Sequence, residues 1–234
     1  MLLSKAKQSQ RVGVSILSDD DQGASHQEKA ETIKEAKKNA KHKSAMEKQK
    51  ANVDASIAAA SVDRGVSILL TGNGKGKSSS AFGMVMRALG YGHKVAVVQF
   101  IKGQQLSGEE IYIRDLCPQV EFYQMGTGFT WDTQDRSADI EAAKKTWAVA
   151  KPMLQDASID LVVLDELTYM LAYDYLPEDE VVEFLTQRPE NQSVVVTGRG
   201  GGSRLADIMD TVSEVKEIKH GYNVGIQARK GVDF

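Results

Sequence analysis

The sequence predicts an α/β fold, in which helices cover both faces of a mostly parallel sheet and a helical arm precedes the sheet. Three observations support this prediction. From Arg64 onward, short apolar runs alternate with amphipathic segments, as they do when helices connect parallel strands. The first apolar run leads directly into a glycine-rich loop, and a later run ends in two carboxylates. The chain has 234 residues, 41% of them hydrophobic, which is enough material for one core.

The arm differs in composition from the rest of the chain. Residues 1–62 carry 11 Lys/Arg and 8 Asp/Glu, a net charge of +3, whereas the remainder carries 18 and 24, a net charge of −6. We expect residues 1–27 to be disordered and residues 28–62 to form a helical arm or lid, because Glu28–Ala60 is rich in Ala, Lys and Glu and lacks Gly and Pro. Residues 63–234 form the predicted α/β domain.

Nucleic-acid binding by the basic arm is disfavoured but stays open as an alternative. The arm has no aromatic residue that could stack on bases, and glutamates and alanines dilute its lysines. A nucleotide-regulated binding module would lose affinity steeply with salt and would need the arm.

The elements of the domain follow from hydrophobic patterning. Five strands are predicted, at Val66–Leu70, Val95–Phe100, Val120–Met125, Asp160–Asp165 and Ser193–Thr197. A helix after the first strand ends near Gly90, and Ala138–Leu154 is helical. A further helix begins near Pro177, whose fixed φ suits a first turn.

The glycine-rich loop TGNGKGKS, Thr71–Ser78, predicts a triphosphate site. Its glycines let successive backbone N–H groups converge on phosphate oxygens at a helix N-terminus. Lys77 adds an ammonium for the phosphates and Ser78 a hydroxyl for a metal ion. Gly76, Lys77 and Ser78 match the end of the P-loop template G-x-x-x-x-G-K-[ST], but Thr71 stands where the template has its first glycine. The loop is therefore an offset variant of the P-loop motif, and the predicted fold is P-loop NTPase-like (RecA-like). A glycine-rich turn with a chance lysine is the alternative.

Two further segments belong to the same predicted edge of the sheet. The strand LVVLDE ends in Asp165 and Glu166, where a Walker B strand carries its carboxylates, and one of them should hold Mg²⁺ opposite Ser78. Arg199, in TGRGGGSR, follows a later strand. An ordinary acidic strand end and a surface arginine are the alternatives.

The cysteine and histidine content limits which metal ion and which cellular compartment we expect. The single cysteine, Cys117, excludes internal disulfides, and the lysine-rich start lacks the apolar region of a secretory signal, so we expect a reducing cytoplasm. No apolar run approaches the length of a membrane span. The four histidines show no zinc-site spacing, which favours an oxygen-ligated Mg²⁺, with Mn²⁺ as the alternative ion.

A loop in the middle of the chain carries two aromatic residues. Phe129 and Trp131 lie in MGTGFTWDTQDR, Met125–Arg136, rather than on a periodic face. Aromatic residues make up only 6% of the chain. This placement suggests a flat apolar ligand or a docking partner, although aromatic residues that fold back into the core remain an alternative.

Taken together, these motifs resemble the ATP:corrinoid adenosyltransferases of the cob(I)yrinic acid a,c-diamide type, which make or salvage adenosylcobalamin. The resemblance spans most of Arg64–Phe234. It rests on TGNGKGKS, VVQFIKG (Val97–Gly103), MGTGFTWDTQDR, VVLDELTYMLAYDYL (Val162–Leu176), VTGRG (Val196–Gly200) and KGVDF (Lys230–Phe234). Ser78 replaces the threonine common in the family and keeps the hydroxyl, and the arm is longer than usual.

The resemblance implies that a Co(I) corrinoid attacks the ribose C5′ of ATP, forms a cobalt–carbon bond and releases triphosphate. Family members hold ATP reversed relative to ordinary P-loop enzymes. Phe129 and Trp131 would face the corrin and help to displace its lower axial ligand, which eases reduction to Co(I). No general base is required, because cobalt itself is the nucleophile. A P-loop small-molecule kinase or ATPase that attacks the γ-phosphate is the alternative.

The resemblance also assigns roles residue by residue. The expected ATP-binding residues are Gly72, Asn73, Gly74, Lys75, Gly76, Lys77, Ser78, Ser79, Arg87 and Arg199. Ser78 and Glu166 would ligate the metal, and Asp165 would have an outer role. The expected catalytic residues are Lys77, Arg87, Glu166 and Arg199. The implied partners are ATP, a corrinoid, a reductase or flavodoxin-like electron donor and a second copy of the chain, with no nucleic acid and no membrane.

Overall fold

The structure is a computed structural model that describes residues 20–101, 106–125 and 135–234, with the backbone alone for residues 20–25 and 27. The chain divides into two compact units, Met1–Val62 and Asp63–Phe234. No helix in these ranges is both long enough and apolar enough to cross a membrane.

The first unit contains one long helix, α1, which spans 40 residues from Asp20 to Ala59. It begins earlier than the expected start at Glu28, so residues 20–27 of the segment expected to be disordered are helical; residues 1–19 lie outside the described residues. The described side chains of α1 are exposed. Ion pairs one turn apart, such as Lys50 with Asp54 at 2.6 Å, support it locally but contribute little each.

The second unit is built on a parallel sheet, which confirms the predicted α/β fold class. Its described strands are β1 (Ser67–Thr71), β2 (Val95–Gln99), β3 (Glu121–Gln124), β4 (Leu161–Asp165), β5 (Ser193–Thr197) and β6 (Thr211–Glu214). Their order across the sheet is β3-β2-β4-β5-β1-β6, and every pairing is parallel. Because all strands point the same way, their carboxyl ends share one edge, where ligands bind in sheets of this kind.

Helices cover both faces of the sheet. They are α2 (Lys77–Gly90), α3 (Gly108–Leu116), α4 (Arg136–Gln155), α5 (Leu167–Ala172), α6 (Glu178–Thr186) and α7 (Ser203–Ile208), followed by a 3₁₀ turn at Gly221–Val224. Alternate strand residues enter two hydrophobic cores. Val97 and Val163 pack with α2 and α3 on one face, whereas Val98 and Leu164 pack with α4 to α7 on the other.

The first strand and its helix enclose the glycine loop. Gly76 caps α2 with a φ of 116°, a conformation that a residue with a Cβ rarely adopts. The loop also touches the chain after β6, because the Gly74 N–H donates to the Val215 carbonyl at 2.7 Å. A Cβ on Gly72 or Gly74 would lie 2.5 or 2.7 Å from that same oxygen, so both positions require glycine.

Candidate active site

A cavity of about 510 Å³ lies at the carboxyl edge of the sheet. Nine of the residues singled out from the sequence line it: Gly74, Lys75, Gly76, Lys77, Ser78, Ser79, Asp165, Glu166 and Arg199. The glycine loop, the end of β4 and the loop after β5 supply them. The structure therefore brings together the three segments that the sequence predicted to meet.

Lys77 is the buried cation of this cavity. Its side chain is only 4% exposed, and its ammonium donates to the Gly74 carbonyl at 2.7 Å. Burial lowers the pKa of Lys77, and the nearby Arg199 lowers it further, whereas Glu166 and Asp165 act in the opposite direction. Lys77 and Arg199 together give this end of the cavity the positive charge that a phosphate chain requires.

Glu166 has an unusual backbone and an unusual carboxylate. Its φ of 60° and ψ of 21° place it in the left-handed region, which few residues other than glycine adopt. Its Oε2 is buried and has no hydrogen-bond partner among the described residues. Burial, reinforced by the charge of Asp165, raises the pKa of Glu166 to about 7, and Lys77 and Arg199 oppose this rise. Such a carboxylate needs a cationic partner.

The donor atoms fit a magnesium ion. Ser78 and Glu166 line the same cavity and offer a hydroxyl and a carboxylate oxygen, the hard ligands that Mg²⁺ prefers. No group of three or more His, Cys, Asp or Glu side chains forms a ready metal cluster within the described ranges. A Mg²⁺ ion commonly has one or two protein ligands and completes its shell with phosphate oxygens and water, so this sparse set suits a metal that arrives with a nucleotide.

Asp165 has a different environment from its neighbour. It is 3% exposed, and both of its carboxylate oxygens are hydrogen-bonded. Oδ1 accepts from the Thr197 hydroxyl at 2.6 Å, and Oδ2 accepts from the Gln99 amide at 3.0 Å. Of the two carboxylates, Glu166 therefore has the free oxygen, while Asp165 is held by protein groups.

Arg87 is a predicted ATP-binding residue that the structure does not bring to this cavity. It lies in the last turn of α2 and is exposed. Lys77 starts the same helix, and at 1.5 Å per residue the two Cα atoms are separated by about 15 Å along the axis. Gly72 and Asn73 also do not line the cavity, since the loop turns there toward Val215. A contact between Arg87 and ATP in the same chain therefore disagrees with this geometry.

Part of the predicted site lies outside the described residues. Phe129 and Trp131 fall in the range 126–134, and residues 102–105 of the VVQFIKG motif are also not described. Their predicted role toward the corrinoid therefore stays a prediction.

Sequence reasoning missed several residues that line the cavity. These are Phe82, Gln99, Ile101, Ser107, Glu109, Tyr169, His220 and Asp233. Asp233, near the C-terminus, lies 2.9 Å from the Lys75 ammonium and so joins the KGVDF motif to the glycine loop. Gln99 carried a usable signal, because it is a polar residue at the end of an otherwise apolar buried strand.

A second, mostly apolar cavity of about 500 Å³ adjoins the first. It lies between α2, α3 and residues 231–234, and it shares Ser79, Phe82, Glu109 and Asp233 with the first cavity. The two cavities therefore share part of their wall, the first being mainly polar and the second mainly apolar.

The chain is similar in sequence to known proteins over most of its length. The family model described as ATP:corrinoid adenosyltransferase BtuR/CobO/CobP matches residues 63–234. The chain is 51% identical to a corrinoid adenosyltransferase of Escherichia coli K12 over 187 residues, which is 79% of this chain and 93% of that protein. It is 51% identical to a corrinoid adenosyltransferase of Pseudomonas aeruginosa (84% and 97% covered) and 42% identical to one of a Sinorhizobium species (85% and 94% covered).

Proposed function

Because the chain belongs to the ATP:corrinoid adenosyltransferase family, we propose that the cavity around Lys77 and Glu166 is where this enzyme binds ATP. The chain is an enzyme that catalyses ATP-dependent adenosyl transfer to a corrinoid in cobalamin biosynthesis. The observation that supports the proposed site is the meeting of a buried cation, a hydroxyl and a carboxylate oxygen around one cavity, where that oxygen has no hydrogen-bond partner in the described part of the chain.

The transfer is a displacement at carbon. The Co(I) centre of the corrinoid donates an electron pair to C5′ of ATP, a cobalt–carbon bond forms, the C5′–O bond breaks and triphosphate leaves with the bonding pair. The developing charge lies on the phosphate chain, so groups that bind it more tightly as it leaves accelerate the reaction. Lys77, Arg199 and the loop amides are the groups that we assign to this task.

Metal binding is assigned to Ser78 and Glu166. A bound Mg²⁺ or Mn²⁺ would neutralise phosphate charge. Ser78 lies in the first turn of α2 and Glu166 directly follows β4, so two elements of the domain hold the proposed ligands, and both residues line the same cavity. Asp165 holds the surrounding protein groups rather than the metal.

The corrinoid and the electron donor are further parts of the proposal. We assign Phe129 and Trp131 to the corrin face, on the strength of the MGTGFTWDTQDR motif. A reductase or flavodoxin-like donor would supply electrons for the Co(I) state, in a reducing cytoplasm where the single thiol of Cys117 stays free. We further propose a homodimer, as the family resemblance implies, and the exposed apolar residues Met46, Val53 and Ile57, which share one face of α1, would help to form it.

An anaerobic assay with ATP, Mg²⁺ and chemically reduced cobalamin tests this function. We expect a light-sensitive alkylcobalamin and inorganic triphosphate in equal amounts. Formation of ADP without alkylation of cobalt would contradict the transferase and favour the γ-phosphate kinase or ATPase.

A further inference from the structure

Four neighbouring strands end in polar side chains that form a continuous row. Gln124 ends β3, Gln99 ends β2, Asp165 ends β4 and Thr197 ends β5. These strands are adjacent in the sheet, and Gln99 is in register with both Gln124 and Asp165. We call these four residues the carboxyl-edge row. It crosses two thirds of the sheet, and two of its members, Gln99 and Asp165, line the cavity together with Glu166.

The hydrogen bonds of the row all point toward Asp165. The Gln124 amide donates to Gln99 Oε1 at 3.1 Å, and the Gln99 amide donates to Asp165 Oδ2 at 3.0 Å. From the other side, the Thr197 hydroxyl donates to Asp165 Oδ1 at 2.6 Å. Gln99, Asp165 and Thr197 are each at most 9% exposed, so water has little access to replace these bonds.

The outer end of the row fixes the orientation of both amides. Gln124 also donates to Glu110 Oε2 at 3.1 Å, and Glu110, 3% exposed, accepts from Arg114 at 2.9 Å through its other oxygen. Ionised carboxylates accept and do not donate. With Glu110 at one end and Asp165 at the other, each glutamine must turn its N–H group toward a carboxylate and its oxygen cannot take that place.

The inner end of the row reaches the backbone of Glu166. A hydroxyl has one proton, and Thr197 gives it to Asp165, so the Thr197 oxygen is left to accept. It accepts from the Glu166 N–H at 2.9 Å. This is the residue whose backbone is in the left-handed region and whose Oε2 lacks a partner among the described residues. The bond therefore holds the strained residue at the point where its side chain turns into the cavity.

We propose that the carboxyl-edge row is a positioning device for Glu166, with Thr197 and Gln99 as positioning residues. The row fixes Asp165 as an acceptor, Asp165 orients the Thr197 hydroxyl, and Thr197 holds the Glu166 backbone so that its carboxylate faces the metal bound with ATP. This inference rests on the proposed function, because it assumes that Glu166 ligates that metal. Thr197 is fully buried and does not line the cavity, so it acts only through other residues.

Thr197 offers a test with a conservative rescue and a matched control. Thr197→Val removes the hydroxyl at nearly constant shape, whereas Thr197→Ser keeps it. Thr168→Val is the control, because Thr168 is also fully buried, yet its hydroxyl has no hydrogen-bond partner among the described residues. Mn²⁺ binding to each protein in the presence of ATP is measured by electron paramagnetic resonance, and ATP binding without metal is measured by calorimetry.

We expect Thr197→Val to weaken Mn²⁺ binding by about tenfold or more, the usual effect of removing a group that orients a metal ligand. Metal-free ATP binding should change little, and Thr197→Ser and Thr168→Val should stay within about threefold of the wild type. Hydrogen exchange of the Glu166 amide should also become faster in Thr197→Val alone. Equal losses in Thr197→Val and Thr197→Ser, or unchanged Mn²⁺ affinity in Thr197→Val, would overturn the proposal.

A second variant covers the case in which Thr197→Val does not fold. Glu110→Gln acts at the far end of the row, outside the residues that line the cavity. It removes the carboxylate that fixes the Gln124 amide, so Gln124 can turn its oxygen toward Gln99 and the bond between the two glutamines weakens. We therefore expect weaker Mn²⁺ binding with unchanged metal-free ATP binding, and wild-type affinity for Mn²⁺ would contradict the proposed role of the row. The adenosylation assay of the wild type is independent of these results and tests the proposed function separately.

Discussion

At the scale of single residues, Glu166 and Asp165 show how neighbours in sequence acquire different roles. Asp165 is fully hydrogen-bonded by protein groups, whereas Glu166 keeps a buried oxygen without a partner among the described residues. The left-handed backbone at Glu166 costs about 1–2 kcal/mol. A strained backbone of this kind persists where surrounding contacts hold it in place. Here the hydrogen bond from the Glu166 N–H to the Thr197 hydroxyl oxygen is one such contact.

The buried lysine gives the first residue-scale prediction. Lys77→Ala should abolish turnover, with a loss of at least about 10²-fold, because it removes a charge aimed at the leaving triphosphate. The loss should be the same whether the assay starts from Co(II) or from pre-reduced Co(I) cobalamin. Lys94→Ala is the control, since Lys94 is half-buried just before β2, at the amino edge of the sheet, and does not line the cavity. Activity of Lys77→Ala within a few-fold of the wild type would show that the loop is not the triphosphate site.

The aromatic loop gives a prediction that separates reduction from transfer. Phe129→Ala and Trp131→Ala should reduce activity more from Co(II) cobalamin than from pre-reduced Co(I), because displacement of the axial ligand matters only for reduction. Steady-state rates from both starting states decide the matter. Equal losses in the two assays would indicate simple corrin binding or a folding defect instead.

Much of the site could be predicted from the sequence alone, and there are physical reasons why the remaining site residues could not. The glycine loop, Asp165, Glu166 and Arg199 were predictable because each follows a buried strand, and parallel strands bring their ends to one edge. The row through Gln99 was not predictable, because hydrogen bonds across a sheet depend on strand order, which the sequence does not state. The family resemblance implies that Arg87 contacts ATP, yet the length of α2 carries Arg87 away from the cavity of its own chain.

At the scale of elements, buried strands were predicted well and exposed ones were not. The five strands predicted from apolar runs lie within one residue of the observed ends, because the apolar side chains of each strand pack against the two cores, those of β3 only partly buried. Strand β6 has no such run, since all four of its residues are exposed at the edge of the sheet. The short helices α5 and α7 were missed because six residues are too few to show a helical period.

Asp210 lies just before β6 and links that strand to the start of β1. Its carboxylate accepts from Arg64 and from the Ser67 backbone and hydroxyl, both at 2.8 Å. The bond from Arg64, aided by those from Ser67, holds the pKa of Asp210 well below its usual range. A lowered carboxyl pKa in the folded state stabilises the protein above the unfolded value and loses that effect as the pH falls through the folded value.

We therefore expect Asp210→Asn to lower the thermal midpoint at pH 7 by a few degrees, about 2–4 °C for each kcal/mol lost. The difference from the wild type should shrink as the pH falls below about 4, because the Asp210 carboxylate then takes up a proton in the unfolded chain while the folded protein still holds it ionised. Thermal unfolding followed by circular dichroism at several pH values measures this. A difference that stays constant down to pH 2 would rule out the ionised pair as its cause.

At the scale of the whole molecule, the chain has an α/β domain and a separate helical unit. The domain contains the residues that match the family, and α1 precedes it. A helix whose described side chains are all exposed gains little stability from its own packing, which suggests that it functions by contacting something else. From its sequence we propose that the arm acts as a lid, which excludes water from the reactive Co(I) centre.

Two truncations test the lid. Deletion of residues 1–60 should leave a folded core that binds ATP but adenosylates corrinoid poorly, whereas deletion of residues 1–27 should change little. Circular dichroism and ATP titration control for folding, and steady-state kinetics measures turnover. Unchanged corrinoid turnover after the longer deletion would show that the arm is a solvated tail.

We propose that Ser78 and Glu166 hold the metal that accompanies the triphosphate of ATP beside Lys77. The most direct measurement is the anomalous difference map of crystals grown with ATP and Mn²⁺. We expect one strong manganese peak in the cavity at the carboxyl edge, within about 2.0–2.3 Å of Ser78 Oγ and a Glu166 carboxylate oxygen and bridged to phosphate oxygens. A manganese–ATP complex that binds elsewhere, or that binds in this cavity with neither Ser78 nor Glu166 as a ligand, would contradict this assignment.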